Sequence, residues 1–139
     1  MLLLAGLRPL HAQTLLIESW RTEDQRIWEQ RLLPSFHRAH PGITVKFSPT
    51  ARALYDQTLL DRLENGKAGD IISCRPFDTS LALFRKGHLL KLDELKALAH
   101  FPPAHRIAWQ TDDASTTFCL PVASVMHGIF YNKAIFKKL

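Results

Sequence analysis

Short apolar runs alternate with longer amphipathic stretches through the first half of this chain, and that order admits few folds. Leu15-Leu16-Ile17-Glu18-Ser19-Trp20 reads as a buried strand. Thr22 and Gln25 match the capping box that opens a helix. Trp28, Leu32 and Phe36 then recur at helical spacing, with Ile27 and Leu33 beside them. His40-Pro41-Gly42 stops that helix, because proline cannot continue it and glycine accepts the left-handed turn. Ile43–Phe47 alternates as a strand does. A second helix is predicted near Leu54–Asn65, apolar at Tyr55, Leu59, Leu60 and Leu63 and ended by Asn65-Gly66. Asp70–Cys74 is a third short strand, and a helix near Thr79–Arg85 stops at Gly87. Strands alternating with helices imply an α/β fold, a mainly parallel sheet flanked by helices and connected by right-handed crossovers. Ligands of such sheets sit beyond the carboxyl ends of the strands. Those ends are Trp20-Arg21, Phe47-Ser48 and Cys74-Arg75.

The second half is less periodic. Leu89-Leu90-Lys91-Leu92 precedes a helical turn after Asp93, Phe101-Pro102-Pro103 is a break, and Asp112–Ser115 reads as a turn between strand-like edges. Thr117–Leu120 leads into Pro121, Val125–Tyr131 is apolar, and Asn132 is placed to cap a last helix over Lys133–Leu139. Trp109 reads as a surface aromatic or as packed under the Asp112 turn. The 139 residues and 46% hydrophobic content suit one folded domain. The formal charge of +5 is scattered, and its densest run, Lys133, Lys137 and Lys138, suits a solvated helix terminus. Nucleic acid is therefore not expected as a partner. Residues 1–12 read as a truncated signal peptide: an apolar run, Pro9, then Ala12 before a cleavage point at Gln13. Residues 13–139 would form the folded part.

Several chemistries lack their signatures. There is no GxGxxG, GxxxxGK or GxSxG. The histidines form no HExxH, and His37 with His40, three apart on a helix, reads as a surface pair rather than a metal pair. Glu23-Asp24 and Asp112-Asp113 suit a helix start and a turn. No nucleophile–base pair is legible, so no enzyme, metal or cofactor is expected. Cys74 and Cys119 make no CxxC pair. An exported chain could join them in a disulfide, and two small buried residues fit as well.

A series of motifs, in order, carries a resemblance. Phe36-His37-Arg38-Ala39-His40-Pro41-Gly42-Ile43-Thr44-Val45 resembles the F-x-x-x-HPGI-x-V segment of carbohydrate-type extracellular solute-binding proteins of family 1. Tyr55 to Leu63, then Asn65-Gly66-Lys67-Ala68-Gly69-Asp70-Ile71-Ile72, is similar to that family's Y-x-x-x-L and G-x-x-PD stretches, with Gly69 where proline is usual. Gly87–Asp93 resembles its G-x-L-x-x-LD, and Leu120-Pro121 with Phe130–Lys138 its P...YNK-x-x-F-K-K. The resemblance implies the N-terminal lobe of a type II periplasmic-binding-protein-like fold, with Leu15–Trp20 between Ile43–Phe47 and Asp70–Cys74. It also implies export to the periplasm, or tethering at the outer face of the cytoplasmic membrane. The family's proteins bind a small-molecule solute, here a sugar or oligosaccharide, and deliver it to an ABC permease.

Sugars offer hydroxyls to polar side chains and apolar C–H faces to aromatic rings. Strand ends and resemblance together select Trp20, Arg21, Arg75, Phe77, Asp78 and Ser124 as ligand contacts. Trp20 fits equally as a core residue, and Arg75 with Asp78 as a surface pair worth ~0–1 kcal/mol. Thr22 is read as a helix cap. Two alternatives stay open: a glycerol phosphate or polyamine binder on the same scaffold, favoured by a basic or a carboxylate-rich pocket respectively, and a truncated chain acting at most as an interaction module. The family pattern continues into a second lobe beyond the YNK helix. A lone lobe covers about half a ligand, so losing ~4 kcal/mol of contact would weaken a micromolar binder to millimolar.

Overall fold

The computed structural model of the chain describes residues 13–122 and 128–138. The leader expected at residues 1–12, and Ser124, lie outside them. The chain divides into two compact units, the first ending at Cys74 and the second beginning at Arg75.

The first unit is a three-stranded parallel sheet in the order β2-β1-β3, as expected. β1 spans Gln13–Ser19, β2 Ile43–Pro49 and β3 only Ile71–Ile72. β1 pairs with β2 along its full length, Gln13 opposite Ile43 through Ser19 opposite Pro49. The connection between them is a segmented helix: a 3-10 turn at Thr22–Asp24, α1 at Gln25–Ile27, a π turn at Trp28–Leu32 and α2 at Leu33–Ala39. The capping box does not form. Thr22 lies inside the 3-10 turn, and no side-chain cap bond is made at its start or at that of α1. Arg21 instead grips Asp24 and competes for the first turn.

Strand side chains alternate between faces, and β1 shows it. On one face Ile17 packs with Val45 and Leu33, and Leu15, Trp28, Phe36, Ile43 and Phe47 border this core. Trp28 stacks on Phe47 with ring centroids 5.2 Å apart. Burying Ile17, Leu33 and Val45 contributes about 1.5–3 kcal/mol each. On the opposite face Glu18 meets α3, Arg52–Glu64, whose buried residues are Tyr55 and Leu59.

Glu18 is 1% exposed, which a carboxylate tolerates only with partners. Its Oε2 lies 3.1 Å from Arg62 Nη1, and its Oε1 accepts from the Gly69 N–H at 2.9 Å. A Cβ on Gly69 would lie 2.8 Å from the Leu16 carbonyl oxygen and 3.0 Å from Glu18 Cγ. The departure from proline at Gly69 thus has a local use, since proline would supply no N–H to Glu18. Gly66 and Gly87, at φ +64° and +81°, follow α3 and the helix over Asp78–Arg85, where the sequence stops the helices.

In the second unit α4 spans Asp78–Arg85, followed by a 3-10 turn at Lys96–His100, α5 at Pro103–Arg106, a 3-10 turn at Ile107–Trp109 and α6 at Lys133–Phe136. Its buried residues include Ser80, Leu81, Leu98 and Phe118, with Phe84 stacked on Phe118 at 5.2 Å. Asp93, in the G-x-L-x-x-LD segment, accepts from the Thr117 N–H at 2.7 Å, while Leu92 donates to the Thr117 carbonyl at 2.8 Å. The Asp112–Ser115 turn forms as expected, flanked by an antiparallel bridge between Gln110 and Thr117. Asn132 caps α6, its Oδ1 accepting from Ala134 N at 2.9 Å and Ile135 N at 3.3 Å. Cys119 is buried and Cys74 half-buried.

Candidate functional site

Trp20 and Arg21 leave the carboxyl end of β1 in the first unit. Their position is fixed from below. Ser19 Oγ accepts from the Arg21 N–H at 3.1 Å and meets Ser73 Oγ at 2.9 Å. The Tyr55 hydroxyl donates to the Ser73 carbonyl at 2.8 Å, with the Glu18 carbonyl at 3.3 Å. Tyr55 is 1% exposed, and burial pushes its phenol above the ordinary value, helped by negative charge from Cys74 and Glu18. It therefore stays a neutral donor and ties the ends of β1 and β3 together.

Trp20 is half-buried, and its ring meets Tyr55 edge-on with centroids 5.6 Å apart. It is thus partly a packing residue, with one part left to solvent. Arg21 is bound through Nε and Nη2 to Asp24 and lies 3.7 Å from Glu23. The hydrogen bond to Asp24 raises its pKa further above the ordinary guanidinium value. The charge offered to a ligand here is close to balanced.

Arg75, Phe77 and Asp78 open the second unit. The Arg75 carbonyl accepts from the buried Ser80 hydroxyl, which pins the turn before α4. Phe77 sits at φ +62°, a strained value for a residue with a Cβ. Its backbone is held on both sides: its N–H donates to the Ala108 carbonyl at 3.1 Å, and its carbonyl accepts from Leu81 N at 3.0 Å. The ring is 61% exposed. Beside it lies an open concavity of about 290 Å³ lined by Phe77, Asp78, Ile107, Gln110, Thr111 and Asp112. Asp112 pairs with Arg85 at 2.5 Å. An exposed aromatic face next to carboxylate, amide and hydroxyl groups suits a polyhydroxylated ring.

Sequence reasoning did not single out Glu18, Ser73 or Tyr55 as the residues that set the loops. The signal for Glu18 was a lone acid inside an apolar run. The His37 Nε2 accepts the Val45 N–H at 2.9 Å. No cluster of metal-ligating side chains occurs among the described residues.

In open α/β sheets ligands bind beyond the carboxyl ends of the strands, where Trp20 and Arg21 lie. The family model described as "Bacterial extracellular solute-binding protein" matches residues 19–139, and the chain belongs to this family. Among solved structures, UspC of M. tuberculosis is similar at 23% identity and TM-score 0.66, over 76% of this chain and 25% of that one. A periplasmic solute binding protein from Pectobacterium atrosepticum matches at 21% identity and TM-score 0.65, over 80% and 27%. A structure from work on xylan utilization by Caldanaerobius polysaccharolyticus matches at 14% identity and TM-score 0.64, over 76% and 27%. This chain spans about a quarter of the length of each. The comparison with curated proteins gave no significant match.

Proposed function

We propose that this chain binds a neutral sugar or oligosaccharide as the substrate-binding component of an ABC importer, exported to the periplasm and handing its solute to the membrane permease. The exposed Phe77 ring beside Asp78, Gln110 and Thr111 is the observation that carries the sugar. Arg75, Trp20, Arg21 and Ser124 are the further proposed contacts. The family match and the xylan-related fold neighbour support this direction. Arg21 is committed to Asp24 and Glu23, and Arg75 also has a partner, which disfavours a phosphorylated solute. A polyamine is the second reading, favoured by the carboxylates Asp78 and Asp112 at one concavity.

Calorimetry with neutral saccharides tests the assignment. Phe77→Ala should weaken binding about tenfold, the scale of one aromatic contact of ~1.4 kcal/mol. Equal affinity in wild type and Phe77→Ala would remove Phe77 from the site.

A further inference from the structure

β2 is the outer strand of its three-stranded sheet, so half of its backbone groups face away from β1. Such groups are normally left to solvent or covered by another element. Here the end of α2 covers two of them. The Ile43 N–H donates to the His40 carbonyl at 3.0 Å, and the Val45 N–H donates to His37 Nε2 at 2.9 Å. The first contact is backbone and insensitive to pH. The second requires an imidazole lone pair, so Nε2 must be unprotonated and the ring proton of the neutral side chain must sit on Nδ1.

We infer that His37 is a pH-sensitive latch on the edge of the sheet, closed when its imidazole is neutral and released on protonation. A protonated Nε2 is a donor, and it faces a second donor at Val45. Val45 is 7% exposed, so its N–H has little water to turn to once the acceptor is lost. The latched ring cannot take a proton at Nε2 while it accepts from Val45. The latch is therefore closed while Nε2 keeps its lone pair and open once a proton occupies it.

The charged groups around the ring leave this logic intact. On α2, Arg38 is turned to Ser35 Oγ at 3.0 Å, and the His40 ring lies against Phe36 at 4.6 Å. Lys46 on β2 is exposed, as are Glu29 and Arg31 on the π turn, with Glu29 accepting from Gln25. Glu18 on β1 is held by Arg62 and Gly69. Among the described residues no carboxylate pairs with His37 to stabilise its cation.

Amide hydrogen exchange at Val45, corrected for the intrinsic pH dependence and referenced to Ile17 in the central strand, tests the latch. Protection of Val45 should fall about tenfold between pH 7.5 and 5 in the wild type, with Ile17 unchanged. His37→Gln keeps an acceptor at the same reach without titrating, and its Val45 protection should stay flat. His37→Leu should lack the protection already at pH 7.5. Wild-type protection that is flat with pH, an equal loss in His37→Gln, full protection in His37→Leu, or a parallel loss at Ile17 would each overturn the inference.

Discussion

Arg62 should be the most sensitive surface-reaching residue of the first unit, because it holds the charge of a carboxylate that is 1% exposed. The guanidinium lies 3.1 Å from Glu18 Oε2. At an effective dielectric near 20, two unit charges at that distance attract by about 5 kcal/mol. Desolvation of Glu18 offsets much of this, and the Arg62 side chain, 37% exposed, is partly screened by water. Arg62→Ala does not return Glu18 to water. It leaves a buried carboxylate with only the Gly69 N–H. The expected cost is about 3 kcal/mol, the lower end for a broken buried pair, or a fall of about 10 °C in Tm for a chain of this size. Glu18→Gln with Arg62→Met removes both charges and keeps an acceptor for Gly69, and should return to within ~1 kcal/mol of wild type. Urea unfolding of the wild type, Arg62→Ala and the double variant, analysed by linear extrapolation, makes the comparison. An Arg62→Ala loss below ~0.5 kcal/mol, or a double variant no better than Arg62→Ala, would refute the reasoning.

Tyr55→Phe should cost about 1–2 kcal/mol in the same assay, because the Ser73 carbonyl loses a donor at 2.8 Å inside the unit. Gly69→Ala should cost about 1–3 kcal/mol, since its Cβ would meet the Leu16 carbonyl oxygen at 2.8 Å; an unchanged urea midpoint would mean that the backbone yields freely. Asp113 accepts from the Thr111 hydroxyl at 2.6 Å and from Ser115 N at 3.1 Å, and these bonds, that to Thr111 foremost, lower its pKa to about 2. Because the folded value is depressed, the turn's contribution is complete above the ordinary carboxylate pKa and is lost as pH falls through about 2. The NMR titration of the Asp113 carboxyl should show that midpoint, and a midpoint near 4 would contradict it.

Most of the first unit was legible because its apolar spacing is regular. The strands at Leu15–Trp20 and Ile43–Phe47 and the helix near Leu54–Asn65 lie within a few residues of β1, β2 and α3. Glycine chemistry placed the stops at Gly66 and Gly87. The third strand was overestimated: past Ile72 the chain goes on to Ser73, which serves Tyr55 and Ser19 through its side chain and carbonyl. The capping box does not form because Thr22 falls inside a 3-10 turn, one residue past the turn's N-cap Arg21. The candidate loops could be placed from strand ends alone. The residues that fix them, Glu18, Tyr55 and Ser73, are far apart in sequence and meet only in three dimensions, so no local pattern reports them. Nor does sequence reveal the left-handed backbone at Phe77, where no glycine marks it.

The central claim, a neutral saccharide held beside Phe77 and Asp78 of the second unit, is tested most directly by NMR titration of the isotopically labelled chain. Millimolar neutral oligosaccharide, glycerol phosphate and spermidine would be added in separate titrations. Shift changes at the Phe77 and Asp78 amides with the oligosaccharide alone are the predicted result. No change at those signals with any saccharide, or larger changes with glycerol phosphate or spermidine, would contradict it.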